Sequence, residues 1–267
     1  MKRNALGILG MLMAAVLQAA PVTITAQGGW LESSYVEWQK TAGMQYHVYV
    51  SGTELESWTK LDNELVREYP DCGRADALGL KAGNYRFKVV PVSGTAEVTE
   101  DAATSEPVEV KAHDRSGFAH KRAGETGIGA YNNDGTLKQN ARVVYVWGAN
   151  AKTVSLDVAT NSSGKMATYK GLQQIIYGYQ KGDANGSYDK RPLCTRILGT
   201  IRAAEMDEFL SAAEGLQIKG AKDYQKMNIT IEGVGNDATI WGFGFLLRNT
   251  ASVELRNFAI MWCMDDC

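Results

Sequence analysis

The chain has 267 residues, room for one large domain or two ordinary ones, and its 45% apolar content suits a protein that buries a core. A net charge of −2 leaves no basic footprint for nucleic acid. Residues 1–20 read as a secretory signal. Lys2 and Arg3 supply the charged start, and Leu6 to Leu17 form an apolar run too short to favour a membrane span. Gln18, Ala19 and Ala20 end it, and cleavage after Ala19 is favoured because Pro21 would block a cut after Ala20. The mature protein is therefore expected to be exported, in a secreted, periplasmic or cell-surface location.

Export places Cys72, Cys194, Cys263 and Cys267 in an oxidising compartment, where four cysteines allow three pairings. Isolated buried thiols are an equally open reading, and no Cys/His zinc spacing is present. Residues 21–111 read as a β-sandwich: short alternating, aromatic-rich runs separated by Gly-containing turns. Trp38, Tyr46, Tyr49, Tyr85 and Phe87 alternate with polar neighbours and are expected between two sheets. Trp30 and Trp58 are the candidates for an exposed sugar-stacking platform. The segment resembles a fibronectin type III-like module, which in exported polysaccharide enzymes serves as a spacer or interaction domain. Residues 112–126, AHDRSGFAHKRAGET, lack periodicity and read as a linker carrying His113 and His120 as solvated side chains. His47 alternates within a sandwich strand and takes the same structural reading.

The second unit spans 127–267. Strands are expected at Arg142 to Trp147 and at Thr153 to Val158. Leu172, Ile175, Ile176 and Tyr179 fall at helical spacing and predict an amphipathic helix. Pro192 leads into the strand TRILGTI, MDEFLSAA reads as a short helix or turn, and EGLQIKG as a first rung-like strand. Ile229, Ile231 and Val234 then recur as Val253, Leu255 and Phe258, a shift of 24 residues. Each copy alternates apolar and polar residues, and repeats at this spacing between Gly/Asn/Asp turns predict stacked rungs of a solenoid. No L-x-x-L-x-L-x-x-N occurs, so a parallel β-solenoid fits better than leucine-rich repeats.

NITIEGVG, a short Ile/Trp/Phe strand, and a second strand ending at a carboxylate together resemble the opening of pectate lyase C-type enzymes, over residues 127–267 and most closely from Glu214 onward. That resemblance implies a mainly all-β chain: a sandwich followed by the first rungs of a right-handed parallel β-helix, with the helix plugging the open end. It implies calcium-dependent β-elimination on polygalacturonate (pectin), with an arginine as base. Asp266 matches the family's calcium-binding aspartate, and Asp265 is a neighbouring ligand or a turn residue. Adjacent acids in a strand point to opposite faces, so one of them is expected to be the primary ligand. No arginine here matches the catalytic motif; Arg248 and Arg256 read as surface or turn residues. The chain reads as the front part of such a lyase, inactive by itself, with the sandwich folding independently. The competing reading is a non-catalytic exported carbohydrate-binding or adhesion protein.

Overall fold

The computed structural model describes residues 20–121, 127–183, 185–207, 209, 215–222 and 224–263. The signal segment and Asp265, Asp266 and Cys267 lie outside the described residues. The described chain is mainly β. No described helix is long and apolar enough to cross a membrane.

The first strands are β1 (Ile24–Gly29), β2 (Ser33–Trp38), β3 (Gln45–Gly52), β4 (Leu55–Lys60), β5 (Val66–Glu68), β6 (Gly73–Leu78), β7 (Gly83–Ser93), β8 (Ala96–Glu97), β9 (Ala103–Thr104) and β10 (Val108–Val110). They form two sheets, β1-β2-β6-β5 and β10-β7-β3-β4, with β8 and β9 also on β7. Every pairing in these two sheets is antiparallel. Side chains two apart share a face. Val36 and Trp38 of β2 therefore meet Val48 and Val50 of β3 and Tyr85, Phe87 and Val89 of β7 in one apolar cluster. Trp38, Tyr85 and Phe87 are buried as the alternation predicts, and Tyr46 packs 5.2 Å from Trp38. Tyr49 departs from that expectation. It has the opposite parity to Val48 and Val50, so it faces outward and donates to Glu97 at 2.5 Å. His47, on the same outer face, contacts Glu97 at 2.6 Å.

The remaining elements are β11 (Arg142–Val146), β12 (Ser155–Ala159), β13 (Met166–Lys170), α1 (Leu172–Gln180), β14 (Gly182–Asp183), β15 (Gly186–Ser187), β16 (Leu193–Ile197), β17 (Thr200–Arg202), β18 (Leu216–Lys219), β19 (Gln225–Gly233), β20 (Thr239–Trp241), β21 (Phe245–Arg248), β22 (Thr250–Arg256) and β23 (Ala259–Met261). Three parallel ladders organise them: β11-β16-β19-β22, β17-β20-β23 and β18-β21. In the first ladder Leu193, Ile229 and Val253 stand in register, as do Ile231 and Leu255. The repeat of the two apolar triplets is thus a pairing of β19 with β22.

The spacing before it is not constant. β19 lies 36 residues after β16, against 24 from β19 to β22. The strand EGLQIKG consequently does not stack under NITIEG. It is β18, which pairs with β21, whereas NITIEG pairs with TRILGTI. Between β11 and α1 the chain also makes an antiparallel hairpin, β12–β13, that the apolar pattern did not predict. The short helix expected in MDEFLSAA falls largely outside the described residues.

Helix α1 buries Leu172, Ile175, Ile176 and Tyr179, the residues at helical spacing. Its amide side chains grip β18: Gln173 Nε2 donates to Gln217 O at 3.1 Å, Gln217 N donates back to Gln173 Oε1 at 2.8 Å, and Gln180 Nε2 donates to Gln217 O at 3.0 Å. The first free N–H groups of a helix need acceptors. Here Asp207 supplies both carboxylate oxygens, to Gln173 N at 3.0 Å and Gln174 N at 2.9 Å. Gly171 makes room for it, since a Cβ there would sit 2.5 Å from Asp207 Oδ2.

The antiparallel sheets and the parallel ladders are joined by polar contacts. Arg67 of β5 pairs with Asp237 at 2.9 Å and donates to Val234 O at 3.1 Å. Tyr69 donates to Asp237 at 2.9 Å, and Tyr145 of β11 donates to Asp62 at 2.5 Å.

Candidate functional site

Parallel pairing places identical parities side by side, so one face of the first ladder is apolar and the other is not. Cys194, Arg196, Thr230, Glu232, Glu254 and Arg256 occupy the second face. Its register aligns Tyr145, Arg196, Glu232 and Arg256 across four strands. The guanidiniums thus flank a carboxylate. Arg196 Nε donates to Glu232 Oε1 at 2.9 Å, and Arg256 donates from Nε at 3.0 Å and Nη2 at 2.9 Å to Oε2.

Tyr131, carried over this face by the segment that follows residue 127, adds a hydroxyl to Glu232 Oε1 at 2.5 Å, and the thiol of Cys194 lies 3.3 Å from the same oxygen. Arg256 rides over the Tyr131 ring at 4.0 Å. The segment is pinned by Thr230 Oγ1, which accepts from Ala130 N at 2.8 Å, and by Ser252 Oγ, which accepts from Gly129 N at 3.0 Å.

The antiparallel unit completes the chain of charges. Glu32, between β1 and β2, holds a left-handed φ of 53°, a conformation that costs a non-glycine residue free energy and persists where surroundings impose it. Its carboxylate accepts from Arg115 and from His113 N, and lies 3.4 Å from Arg256 Nη1. The network therefore alternates Arg196, Glu232, Arg256, Glu32, Arg115. Arg256 is built into it, which corrects its reading as a surface or turn residue. Arg248, at the end of β21, is exposed.

Burial pushes the Glu232 and Glu32 carboxyls up. The neighbouring guanidiniums outweigh it, and both end below the usual carboxylate range. Burial opposes the charge on Arg196 and Arg256, but Glu232 holds both above the ordinary arginine value. Neither can act as a proton acceptor at neutral pH. Burial, followed by the charge of Glu232, pushes the Cys194 thiol up and removes it as a nucleophile. As a set these side chains hold position; they do not move protons.

Beside the network runs a cleft of about 450 Å³, lined by Trp30, His113, His120, Glu254, Arg256 and Asn257 among others. A second cleft of about 360 Å³ continues on the other side of Trp30, reaching Ser34, Arg74, Asp76 and Asn236. His120 is half-buried, not solvated, and its Nδ1 has no hydrogen-bond partner. Of the two tryptophans proposed for sugar stacking, Trp30 is 69% exposed at the lip between the clefts. Trp58 is half-buried and Lys88 Nζ lies 5.1 Å over its ring, so one face is taken.

Cys72 and Cys194 are free thiols, and Cys263 is disulfide-bonded. Among the described residues no group of three or more His, Cys, Asp or Glu side chains could hold a metal ion. The polar ladder was readable in principle: charged residues alternate with buried apolar ones at Arg196, Glu232 and Arg256. The uneven spacing hid their alignment.

No protein-family model matches this chain, and no curated protein does. Among solved structures it is matched to pectate lyase Pel3 from Pectobacterium carotovorum, at 14% identity over 88% of this chain, with a TM-score of 0.19. The alignment covers 63% of that enzyme's chain. A superposition this loose carries no weight for function. The fold and the site define a mainly-β protein whose parallel ladders are joined to antiparallel sheets by side-chain ion pairs and hydrogen bonds.

Proposed function

We propose that this chain belongs to an exported pectate-lyase-like protein acting on polygalacturonate by calcium-dependent β-elimination. Its parallel ladders are the early turns of a right-handed β-helix, capped by α1, and the preceding sheets are a fibronectin type III-like sandwich. What supports the reading is the in-register parallel pairing of Ile229 and Ile231 with Val253 and Leu255, in the stretch whose sequence resembles the family. Asp266, with Asp265, is assigned to calcium, an ion that takes several oxygen ligands, carboxylates above all. Calcium bound there would neutralise a uronate carboxylate and acidify the adjacent C–H. The test is retention of the purified chain on immobilised polygalacturonate with calcium and with chelator. Calcium-dependent retention, lost in Asp266→Asn, supports the reading. Retention indifferent to both calcium and Asp266→Asn refutes it.

A second reading, a non-catalytic carbohydrate-binding protein, is favoured by one observation. The aromatic ring of Trp30 stands open between two polar clefts.

A further inference from the structure

In the β17-β20-β23 ladder Ile201 and Ile240 are buried in the core, so their neighbours Arg202 and Trp241 turn outward. Register sets Arg202, Trp241 and Met261 in one row, with Thr200, Thr239 and Ala259 in the row behind. Trp241 is 37% exposed, and Met261 is exposed beside it. Trp262, the residue after β23, is 70% exposed. Its ring lies 6.1 Å from that of Trp241, with 5° between the two planes. Single exposed apolar side chains need no explanation, but three side by side mark a contact surface. Neither indole lines the clefts beside Trp30.

The backbone under Trp262 is strained. Its φ is 58°, a left-handed conformation that bulky residues rarely take. The pairing of Trp241 with Met261 makes Gly242 the counterpart of Trp262 in the preceding rung, and Gly242 is also left-handed, at φ 82°. The turn suits glycine, yet the later rung carries the largest side chain there. A ring with most of its surface in water returns little packing to the fold for that strain. Strain kept at such a position points to a use outside the fold.

Arg202 supplies a charge. Arg67, Arg74, Arg115, Arg191, Arg196 and Arg256 are all paired with carboxylates. Arg202 is exposed, and among the described residues its guanidinium has no such partner. Glu205 turns its carboxylate to the Arg202 backbone instead, accepting from Arg202 N at 2.7 Å. Neighbouring strands lie about 4.8 Å apart, so Arg202 stands one strand from Trp241. Thr239 Oγ1 donates to Asp237 O at 3.1 Å and keeps its lone pairs to accept. Indole faces fit the apolar face of a sugar ring, and a forked guanidinium fits a carboxylate. A ligand that offers both is an acidic sugar chain.

We propose that the outer face of the β17-β20-β23 ladder binds an acidic oligosaccharide without a metal ion, one sugar ring on the Trp241–Trp262 pair and a carboxylate on Arg202. The site is separate from the calcium site assigned to Asp266 and does not depend on it.

The test titrates the full chain in chelator with tetragalacturonate and with the neutral β-1,4-galactotetraose, followed by calorimetry and tryptophan fluorescence. The acidic probe is expected to bind and to change the fluorescence, with the neutral probe weaker. Trp262→Gly should weaken binding about tenfold, the size of one aromatic stacking contact. It should not lower the melting temperature, because glycine suits the left-handed backbone. Arg202→Gln should erase both the preference for the acidic probe and the salt dependence of its binding. Trp58→Ala should leave affinity unchanged. Failure of tetragalacturonate to bind in chelator overturns the proposal. So does equal affinity in Trp262→Gly, or an unchanged preference in Arg202→Gln. The lyase reading is measured apart from this, as calcium-dependent retention on polygalacturonate in the Trp262→Gly chain, where the platform is gone and Asp266 remains. A loss of calcium dependence there counts against the lyase reading alone.

Discussion

Replacing Glu232 with glutamine keeps the shape of the side chain and removes its charge. Glu232 is 1% exposed and Arg196 is 5% exposed, so neither can turn to water. After Glu232→Gln, Arg256 keeps Glu32 at 3.4 Å and Glu254 at 3.5 Å. Arg196 keeps the hydroxyls of Tyr145 at 3.0 Å and Tyr131 at 3.4 Å and no carboxylate. An arginine left buried without its counter-ion costs about 3–5 kcal/mol. For a chain of this size that lowers the melting temperature by roughly 10 °C.

Circular dichroism melts and urea titrations of the two proteins measure the difference. The double variant Arg196→Met with Glu232→Leu should recover most of the loss, because a buried pair is replaceable by apolar groups far more cheaply than it is broken. The sign with pH is also defined. The folded-state carboxyl of Glu232 sits below its ordinary 4.5, so its contribution is present above about pH 4.5 and is lost as pH falls through the folded value. Glu232→Gln should flatten that acid limb. A loss below about 1 kcal/mol, or an unchanged acid limb, would refute the claim that this network holds the ladder face together.

Three further outcomes are expected. Asp207→Ala, which strips the acceptors from Gln173 N and Gln174 N, should destabilise by about 1–2 kcal/mol in the same melts, the usual cost of losing a helix cap. Burial, then the charge of Lys226, brings the Lys138 ammonium down to about 8 from 10.5, so stability should rise with pH between those values. Stability curves of the wild type and Lys138→Met should show that rise only in the wild type. Arg67→Ala removes the links to Asp237 and Val234 O and should split calorimetric unfolding into two transitions, where the wild type shows one. Two transitions already in the wild type would mean that the junction does not couple the units.

Local periodicity carried much of the fold. Val36 and Trp38, or Tyr85 and Phe87, declare a buried strand face by alternation, and Leu172, Ile175, Ile176 and Tyr179 declare a helix. The pairing of β19 with β22 was legible because two apolar triplets recur at one spacing. The pairing of β19 with β16 was not, because extra chain between them, including β18, breaks the period. Tyr49 was misplaced since composition marks an aromatic residue without fixing its parity. Pairwise alignment of Arg196, Glu232 and Arg256 follows from register, which no single strand encodes. Of the candidate site, Trp30 was singled out from sequence. The clefts on either side of it arise from the meeting of two sheets far apart in the chain and have no local signature. Asp265 and Asp266 rest on the family resemblance alone.

The strained backbone at Glu32 has a consequence for inheritance and engineering. One side chain in the first unit neutralises a guanidinium on the last strand of the described first ladder, 224 positions away. Transplanting the ladders onto a foreign partner would take away one of the three carboxylates around Arg256, leaving Glu232 and Glu254 in place. A chimera that keeps Glu32 together with Arg256 should therefore melt higher than one that separates them.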